Sequence, residues 1–91
     1  MKFQIGSTYM TRGINAMVAE DKVFAQEVYM CLHRHSDCDW GDLSEDDKQS
    51  NDEALQTGDR ILSAYGTTQG RIWIITEADR SATTVLFPDE Y

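Results

Sequence analysis

Apolar and polar residues alternate with a period of two near the start of the chain and again in its last third. In residues 2–9, Phe3, Ile5 and Tyr9 are separated by polar residues and glycine. Three further stretches follow at residues 60–65, 71–77 and 82–87, and the turn-forming segments GTTQG and ADRS lie between them. Because successive side chains of a strand point to opposite faces, this pattern predicts four β-strands, the last three as an antiparallel meander.

The segment RIWIITE, residues 71–77, is apolar at both odd and even positions. This composition is typical of an inner strand, because both of its faces are covered by other side chains. Pro88 ends the last strand, since proline cannot donate a ladder hydrogen bond. We expect the first strand to join the sheet at an edge.

Apolar residues at helical spacing predict two helices after the first strand. Thr11 offers a hydroxyl N-cap to a short helix that ends near Glu20. Asp21 can cap a second helix that runs to about His35. The buried stripe of this second helix is expected to consist of Phe24, Val28, Cys31, Leu32 and His35.

A third helix is predicted after residues 36–42, SDCDWGD, whose three aspartates and glycine are typical of a loop. Trp40 is expected to anchor this loop in the core. Ser44 and Asp47 form a pair that resembles a capping box, so the helix should start near Leu43, and Gly58 should end it. No hydrophobic residue occurs between Ser44 and Glu53, so the first turns of the helix must face water or a partner.

The predicted order β-α-α-α-β-β-β gives an α+β fold, in which three helices pack on one face of an antiparallel sheet of about four strands. A chain of 91 residues suits a single domain, residues 1–91. Hydrophobic residues make up 41% of the chain and only one proline is present, which argues against disorder.

The formal net charge is -8, and the eight lysines and arginines are spread evenly along the sequence. Such a chain repels nucleic acid and acidic membrane surfaces, so we expect a basic partner and neither direct nucleic-acid binding nor membrane binding. No apolar run approaches the roughly 18 residues of a membrane span, and no signal-peptide pattern is present. We therefore expect a cytoplasmic protein with Cys31 and Cys38 reduced.

Half of the sixteen acidic residues fall between Asp37 and Glu53. On a helix, several of them recur at intervals of three, four and seven residues and should project from one side. The candidate partner-binding residues are Asp42, Glu45, Asp46, Asp52 and Glu53. A row of carboxylates can imitate the phosphates of nucleic acid, and the alternative is a solvated helix face that only keeps the protein soluble.

Two chemical alternatives involve the histidines. Cys31, His33, His35 and Cys38 have the residue types of a zinc site, but their spacing on one helix argues against a closed tetrahedral site. A small metal-dependent hydrolase or nuclease using His33, His35 and Asp39 is the alternative function, although no nucleophile motif accompanies Ser36 or Ser81. The glycines match no phosphate-binding pattern, so nucleotide binding has no support. We expect no cofactor and no metal.

The motifs HRHSDCDWGDLSEDDKQSNDEAL and RIWIITEADRSATTVLFPDEY resemble those of a family of small bacterial proteins labelled plasmid-related. The resemblance runs from about residue 7 to the end of the chain and carries over no catalytic residue. It implies a setting on plasmids or other mobile elements, where small acidic proteins block host defence. DNA mimics and inhibitors of CRISPR complexes are examples of that class, and we expect this protein to act in the same way.

Overall fold

Four strands and three helices make up the protein in the computed structural model, which describes residues 1–91. The strands are β1 (Ser7–Met10), β2 (Ile61–Thr67), β3 (Gly70–Thr76) and β4 (Ala82–Leu86). The helices are α1 (Arg12–Glu20), α2 (Lys22–Ser36) and α3 (Glu45–Thr57), all between β1 and β2. The α+β class and the predicted order of elements are confirmed.

The strands form one sheet in the order β1-β4-β3-β2. Strands β2, β3 and β4 are the predicted antiparallel meander, with Ile61 opposite Thr76 and Ile74 opposite Val85. β3 is an inner strand, as its apolar sequence indicated: Ile74 is buried on the face that the helices cover, and Ile75 is buried on the other face. The sheet therefore uses both apolar faces of this segment.

The expectation of a purely antiparallel sheet is wrong, because β1 pairs with β4 in parallel, with Ser7 beside Ala82. A period of two tells which face each side chain occupies, but it carries no information about strand direction. The strand is also shorter than residues 2–9. Phe3 leaves the sheet, and its ring centroid lies 5.4 Å from that of His35 and 6.0 Å from that of Trp40. The edge position of β1 is confirmed.

Helices α1 and α2 pack on one face of the sheet and form the main core with it. Its fully buried members include Ile14 and Phe24 from the helices and Tyr65, Ile72 and Val85 from the strands. A second, smaller cluster joins Trp40, Ala54 and Ile61, and it attaches α3 to the edge strand β2.

Local capping signals account for most helix ends. Asp21 accepts a hydrogen bond from the Phe24 N–H at 3.0 Å, and Ser44 accepts one from the Asp47 N–H at 3.1 Å, as predicted. Gly58 ends α3 in the left-handed conformation, with φ of 80°.

The start of α1 differs from the prediction, because the Thr11 side chain makes no capping hydrogen bond. The carboxylate of Glu90 takes that role from the far end of the chain. It accepts hydrogen bonds from the Thr11 hydroxyl at 2.6 Å and from the Gly13 N–H at 2.8 Å. A carboxylate at this helix end is also favoured by the helix dipole.

The free edge of β2 is covered by the segment that precedes α3. The Asp42 N–H donates to the Ala64 carbonyl at 2.7 Å, and the Ala64 N–H donates to the Trp40 carbonyl at 3.3 Å. Between them Gly41 has φ of 73°, and a Cβ atom at this position would collide with the Ala64 carbonyl oxygen. The close approach of these two chain segments therefore requires glycine.

Trp40 is only 4% exposed, so the expectation that it anchors the loop in the core is confirmed. We predict that Trp40→Ala lowers the free energy of unfolding by about 3 to 5 kcal/mol, the usual loss for a large buried aromatic residue. Chemical denaturation followed by circular dichroism measures this loss. Trp73→Ala is the matched control, since Trp73 is only half-buried and should cost less. Equal losses in the two variants would contradict the anchoring role.

Candidate functional site

Four of the five candidate partner-binding residues lie on the exposed side of α3: Glu45, Asp46, Asp52 and Glu53. At 3.6 residues per turn they fall within about 120° of the helix circumference. The buried side of the helix, with Asn51 and Ala54, is opposite. We call these four residues the acidic face.

Asp42 does not belong to the helix, although the spacing argument placed it there. It lies in the extended segment that pairs with β2, and its carbonyl accepts a hydrogen bond from Arg71 at 3.2 Å. The Asp42 side chain is exposed and lies near Gly66 of β2. The candidate set is therefore divided between a helix and a sheet edge.

Few cations compensate the acidic face. The only ion pair within α3 joins Lys48 to Glu45, with 3.8 Å between the nitrogen and the oxygen. Asp46, Asp52 and Glu53 have no lysine, arginine or histidine within ion-pair distance. The negative charge of this face therefore remains available to a partner.

Polar contacts hold α3 where apolar residues are few. The Asn51 amide donates to the Leu62 carbonyl at 2.7 Å and accepts from the Leu62 N–H at 3.3 Å, so it binds the β2 backbone as another strand would. At the C-terminal end of the helix, the Arg80 guanidinium donates to the Ala54 carbonyl at 3.0 Å. The helix dipole also favours a cation at this end of the helix.

One member of the acidic face has a structural contact that the sequence did not indicate. The Asp52 carboxylate accepts a hydrogen bond from the indole N–H of the buried Trp40 at 3.0 Å. Tryptophan usually finds such an acceptor when it is buried. Asp52 therefore anchors the loop before the helix as well as contributing charge.

His35 lies in the core, fully shielded from solvent, and both of its ring nitrogens are hydrogen-bonded. Nδ1 lies 2.5 Å from the Ser63 hydroxyl, and Nε2 lies 2.9 Å from the Thr76 hydroxyl. Thr76 is in turn hydrogen-bonded to Thr83 at 2.7 Å, and Thr83 donates to the Ile5 carbonyl at 2.6 Å. This chain links α2, three strands and the segment before β1.

The carbonyl at the end of this chain fixes the direction of each hydrogen bond from Nε2 of His35 onward. Because Thr83 donates its one proton to Ile5, it must accept from Thr76, and Thr76 must accept from the histidine. His35 therefore carries a proton on Nε2, and in the neutral ring Nδ1 accepts from Ser63. Burial among neutral groups lowers the pKa of His35 from 6.5 to about 4.

The other residues of the hydrolase alternative do not approach His35. His33 is exposed on α2, with its ring centroid 4.6 Å from that of Tyr29. Asp39 is ion-paired with Arg34 at 2.7 Å, and this contact lowers the pKa of its carboxyl. Since both nitrogens of His35 are occupied by hydroxyls, His33, His35 and Asp39 do not form a common site.

The residues of the zinc alternative also remain apart. Cys31 is buried in the main core, and burial raises the pKa of its thiol, whereas Cys38 belongs to the smaller cluster. No group of three or more histidine, cysteine, aspartate or glutamate side chains is placed to hold a metal ion. Of the two serines considered as nucleophiles, Ser36 donates to the His33 carbonyl and Ser81 to the Asp79 carboxylate.

Comparisons with known proteins add no functional assignment: no family model, curated protein or solved structure matches the chain. None of the three helices has both the length and the apolar character needed to cross a membrane.

The burial of His35 predicts a pH-dependent stability. The unfolded chain binds a proton at His35 below about pH 6.5, whereas the folded protein does so only near pH 4, so stability falls as the pH drops through this range. Between pH 7 and pH 5 the loss should be about 2 kcal/mol. Chemical denaturation at several pH values measures it.

His35→Gln should remove this pH dependence, and His33→Gln, at an exposed position, should retain it. Nuclear magnetic resonance of the parent provides an independent measurement, since the His35 ring should not titrate above pH 5. If the His35 ring titrated near pH 6.5 in the folded protein, the result would contradict the buried neutral tautomer.

The Asp52 contact predicts a difference between two changes on one helix face. Asp52→Ala leaves the Trp40 indole without an acceptor and should lower the free energy of unfolding by about 1 to 3 kcal/mol. Asp52→Asn keeps an acceptor oxygen and should cost less. Glu53→Ala, at the adjacent exposed position, should change stability by no more than about 0.5 kcal/mol. Equal effects of Asp52→Ala and Glu53→Ala in denaturation would show that the indole contact contributes nothing.

Proposed function

We propose that the protein is an acidic, non-enzymatic binding protein that occupies a basic, nucleic-acid-binding site on a partner through the acidic face of α3. The observation that carries this proposal is the exposed row of carboxylates, which has one ion pair in total. Asp42, at the adjacent sheet edge, extends the charged region beyond the helix.

The charge density of the face supports imitation of nucleic acid. Glu45 and Glu53 are eight residues apart, or about 12 Å along the helix axis. The four carboxylates lie as two pairs at the ends of this length, on average about one charge per 3 to 4 Å, and one strand of B-DNA carries one phosphate per about 3.4 Å. A groove built to bind a phosphate backbone would therefore meet a similar linear charge.

The attachment of α3 suits such a role. Its fixed contacts to β2 through Asn51 and to Arg80 hold the helix in one position, so the carboxylates are ordered before binding. A rigid display lowers the entropic cost of association. The arrangement favours this function over the hydrolase alternative, because both ring nitrogens of His35 are hydrogen-bonded in the core and His33 and Asp39 do not approach it.

The biological setting that we propose is a mobile element, with a host defence complex as the partner. The support for this setting is the sequence resemblance to plasmid-related proteins. A defence complex that binds nucleic acid offers the basic groove that the acidic face fits.

The central prediction is that Glu45→Gln, Asp46→Asn and Glu53→Gln together abolish partner binding and leave the fold unchanged. The three side chains are exposed and keep their size, so stability should change little. The protein is immobilised, bacterial proteins that bind it are captured, and duplex DNA is added as a competitor. We expect basic proteins to be captured, DNA to release them, and the triple variant to capture none of them.

A matched control removes the same charge elsewhere. Glu20→Gln, Glu77→Gln and Asp89→Asn are exposed positions whose side chains make no ion pair or hydrogen bond, and this variant should bind like the parent. With a purified partner, the affinity of the α3 variant should be at least about tenfold weaker at low salt, and rising salt should weaken parent binding. If both triple variants bound equally well, the acidic face would serve solubility alone.

A further inference from the structure

The two edges of the sheet differ in how they are protected. The β2 edge is covered by Gly41 and by the Asn51 amide, whereas all four residues of β1 are exposed, including Tyr9 and Met10. Exposed edge strands usually carry a lysine, a proline, a bulge or a covering segment, because unpaired backbone groups recruit other strands. The sequence of β1, STYM, has no such charge or proline.

The backbone groups on the open side of β1 are free to pair. The Ser7 N–H donates to the Ser81 carbonyl at 3.0 Å, and the Thr11 N–H donates to the Val85 carbonyl at 3.1 Å, both toward β4. Because successive backbone groups of a strand point in opposite directions, the N–H and C=O groups of Thr8 and Met10 point away from β4. β1 can therefore accept a further strand.

We propose that this strand is β1 of a second copy, paired antiparallel to form a dimer with one continuous eight-stranded sheet. A twofold axis at Tyr9 sets Thr8 of each chain opposite Met10 of the other, so that these residues exchange backbone hydrogen bonds. The two Tyr9 side chains then lie in a non-hydrogen-bonded pair, where side chains approach most closely. In this register, residues that lie directly opposite each other on the two β1 strands project their side chains to the same face of the sheet.

Charges at the two ends of β1 favour a second copy over an unrelated strand. Arg12, the first residue of α1, follows β1 after Thr11, is exposed and forms no ion pair. Asp79 lies near the other end, because its carboxylate accepts from the Ser81 N–H at 3.0 Å and the Ser81 carbonyl accepts from Ser7. Antiparallel pairing brings Arg12 of one chain toward Asp79 of the other, twice in each dimer.

The net charge of -8 on each chain does not prevent this association. The acidic face is attached to β2, at the opposite edge of the sheet from β1. In the dimer the two β2 strands would be seven strand spacings apart, or about 34 Å. Salt screens exposed charges over about 8 Å at physiological ionic strength, so the two acidic faces would repel each other little.

The test is the mass of the full chain in solution, measured by light scattering and analytical ultracentrifugation over a wide range of concentrations. The parent should rise from 10.4 kDa toward twice that mass. Thr8→Pro removes only an N–H that points away from β4, and proline is tolerated at such edge positions. This variant should remain monomeric at every concentration, with the circular dichroism spectrum of the parent.

Met10→Lys is a second edge variant, which keeps the backbone donor and adds a charge that edge strands commonly use for protection. It should also be monomeric. Arg12→Glu should weaken dimerisation severalfold, and Asp79→Lys in the same chain should restore part of the loss. Lys22→Glu is the matched control, since it makes the same charge change at the start of α2 and should have no effect.

A parent that stays monomeric at all concentrations overturns the proposal, as does dimerisation of Thr8→Pro and Met10→Lys with the affinity of the parent. Equal effects of Arg12→Glu and Lys22→Glu overturn the antiparallel register. Hydrogen exchange provides a direct measurement: the amides of Thr8 and Met10 should be protected in the parent dimer, and the Met10 amide should exchange rapidly in Thr8→Pro.

Discussion

The attachment of an almost entirely polar helix to the edge of a sheet is the constraint on which the candidate site depends. α3 buries little apolar surface, so its position is fixed by hydrogen bonds to backbone groups of β2 and to the indole of Trp40. These bonds come from Asn51, on the inner side of the helix, and from Asp52, a member of the acidic face. The carboxylates on the outer side are therefore not needed for packing, apart from that of Asp52, and their number can vary at small cost to stability.

The core has a comparable polar constraint at His35. An apolar side chain at this position would fit several arrangements of α2 on the sheet, whereas a hydrogen-bonded chain that ends at the Ile5 carbonyl fits one. Such a network specifies a unique packing, because any shift would leave a polar group buried without a partner. The residue that looked most like a general base in the sequence thus serves the fold. Because the buried His35 ring contacts neither solvent nor a carboxylate, there is no reacting group with which it could exchange a proton.

The features that could be predicted from the sequence are those that depend on near neighbours. Asp21, Ser44 and Gly58 marked helix ends correctly because each bonds or turns within a few residues. Helical spacing also predicted correctly that His35 lies on the buried side of α2. The direction of β1 and the hydrogen-bond partners of His35 depend on residues far apart along the chain, and no local pattern encodes them. The same limit applies to the candidate site: its exposed helical face followed from spacing, whereas the contact between Asp52 and Trp40 required the folded structure.

The pairing of β1 with β4 has a consequence for the order of events during synthesis. β1 leaves the ribosome well before the strand that holds it, Ala82–Leu86, and well before Glu90, which completes the start of α1. Contacts between such distant segments close a long loop and form slowly. The nascent chain can build its helices and the β2-β3 hairpin while Tyr9 and Met10 are still unplaced, so it must carry an unpaired β-strand until Ala82–Leu86 has been synthesised.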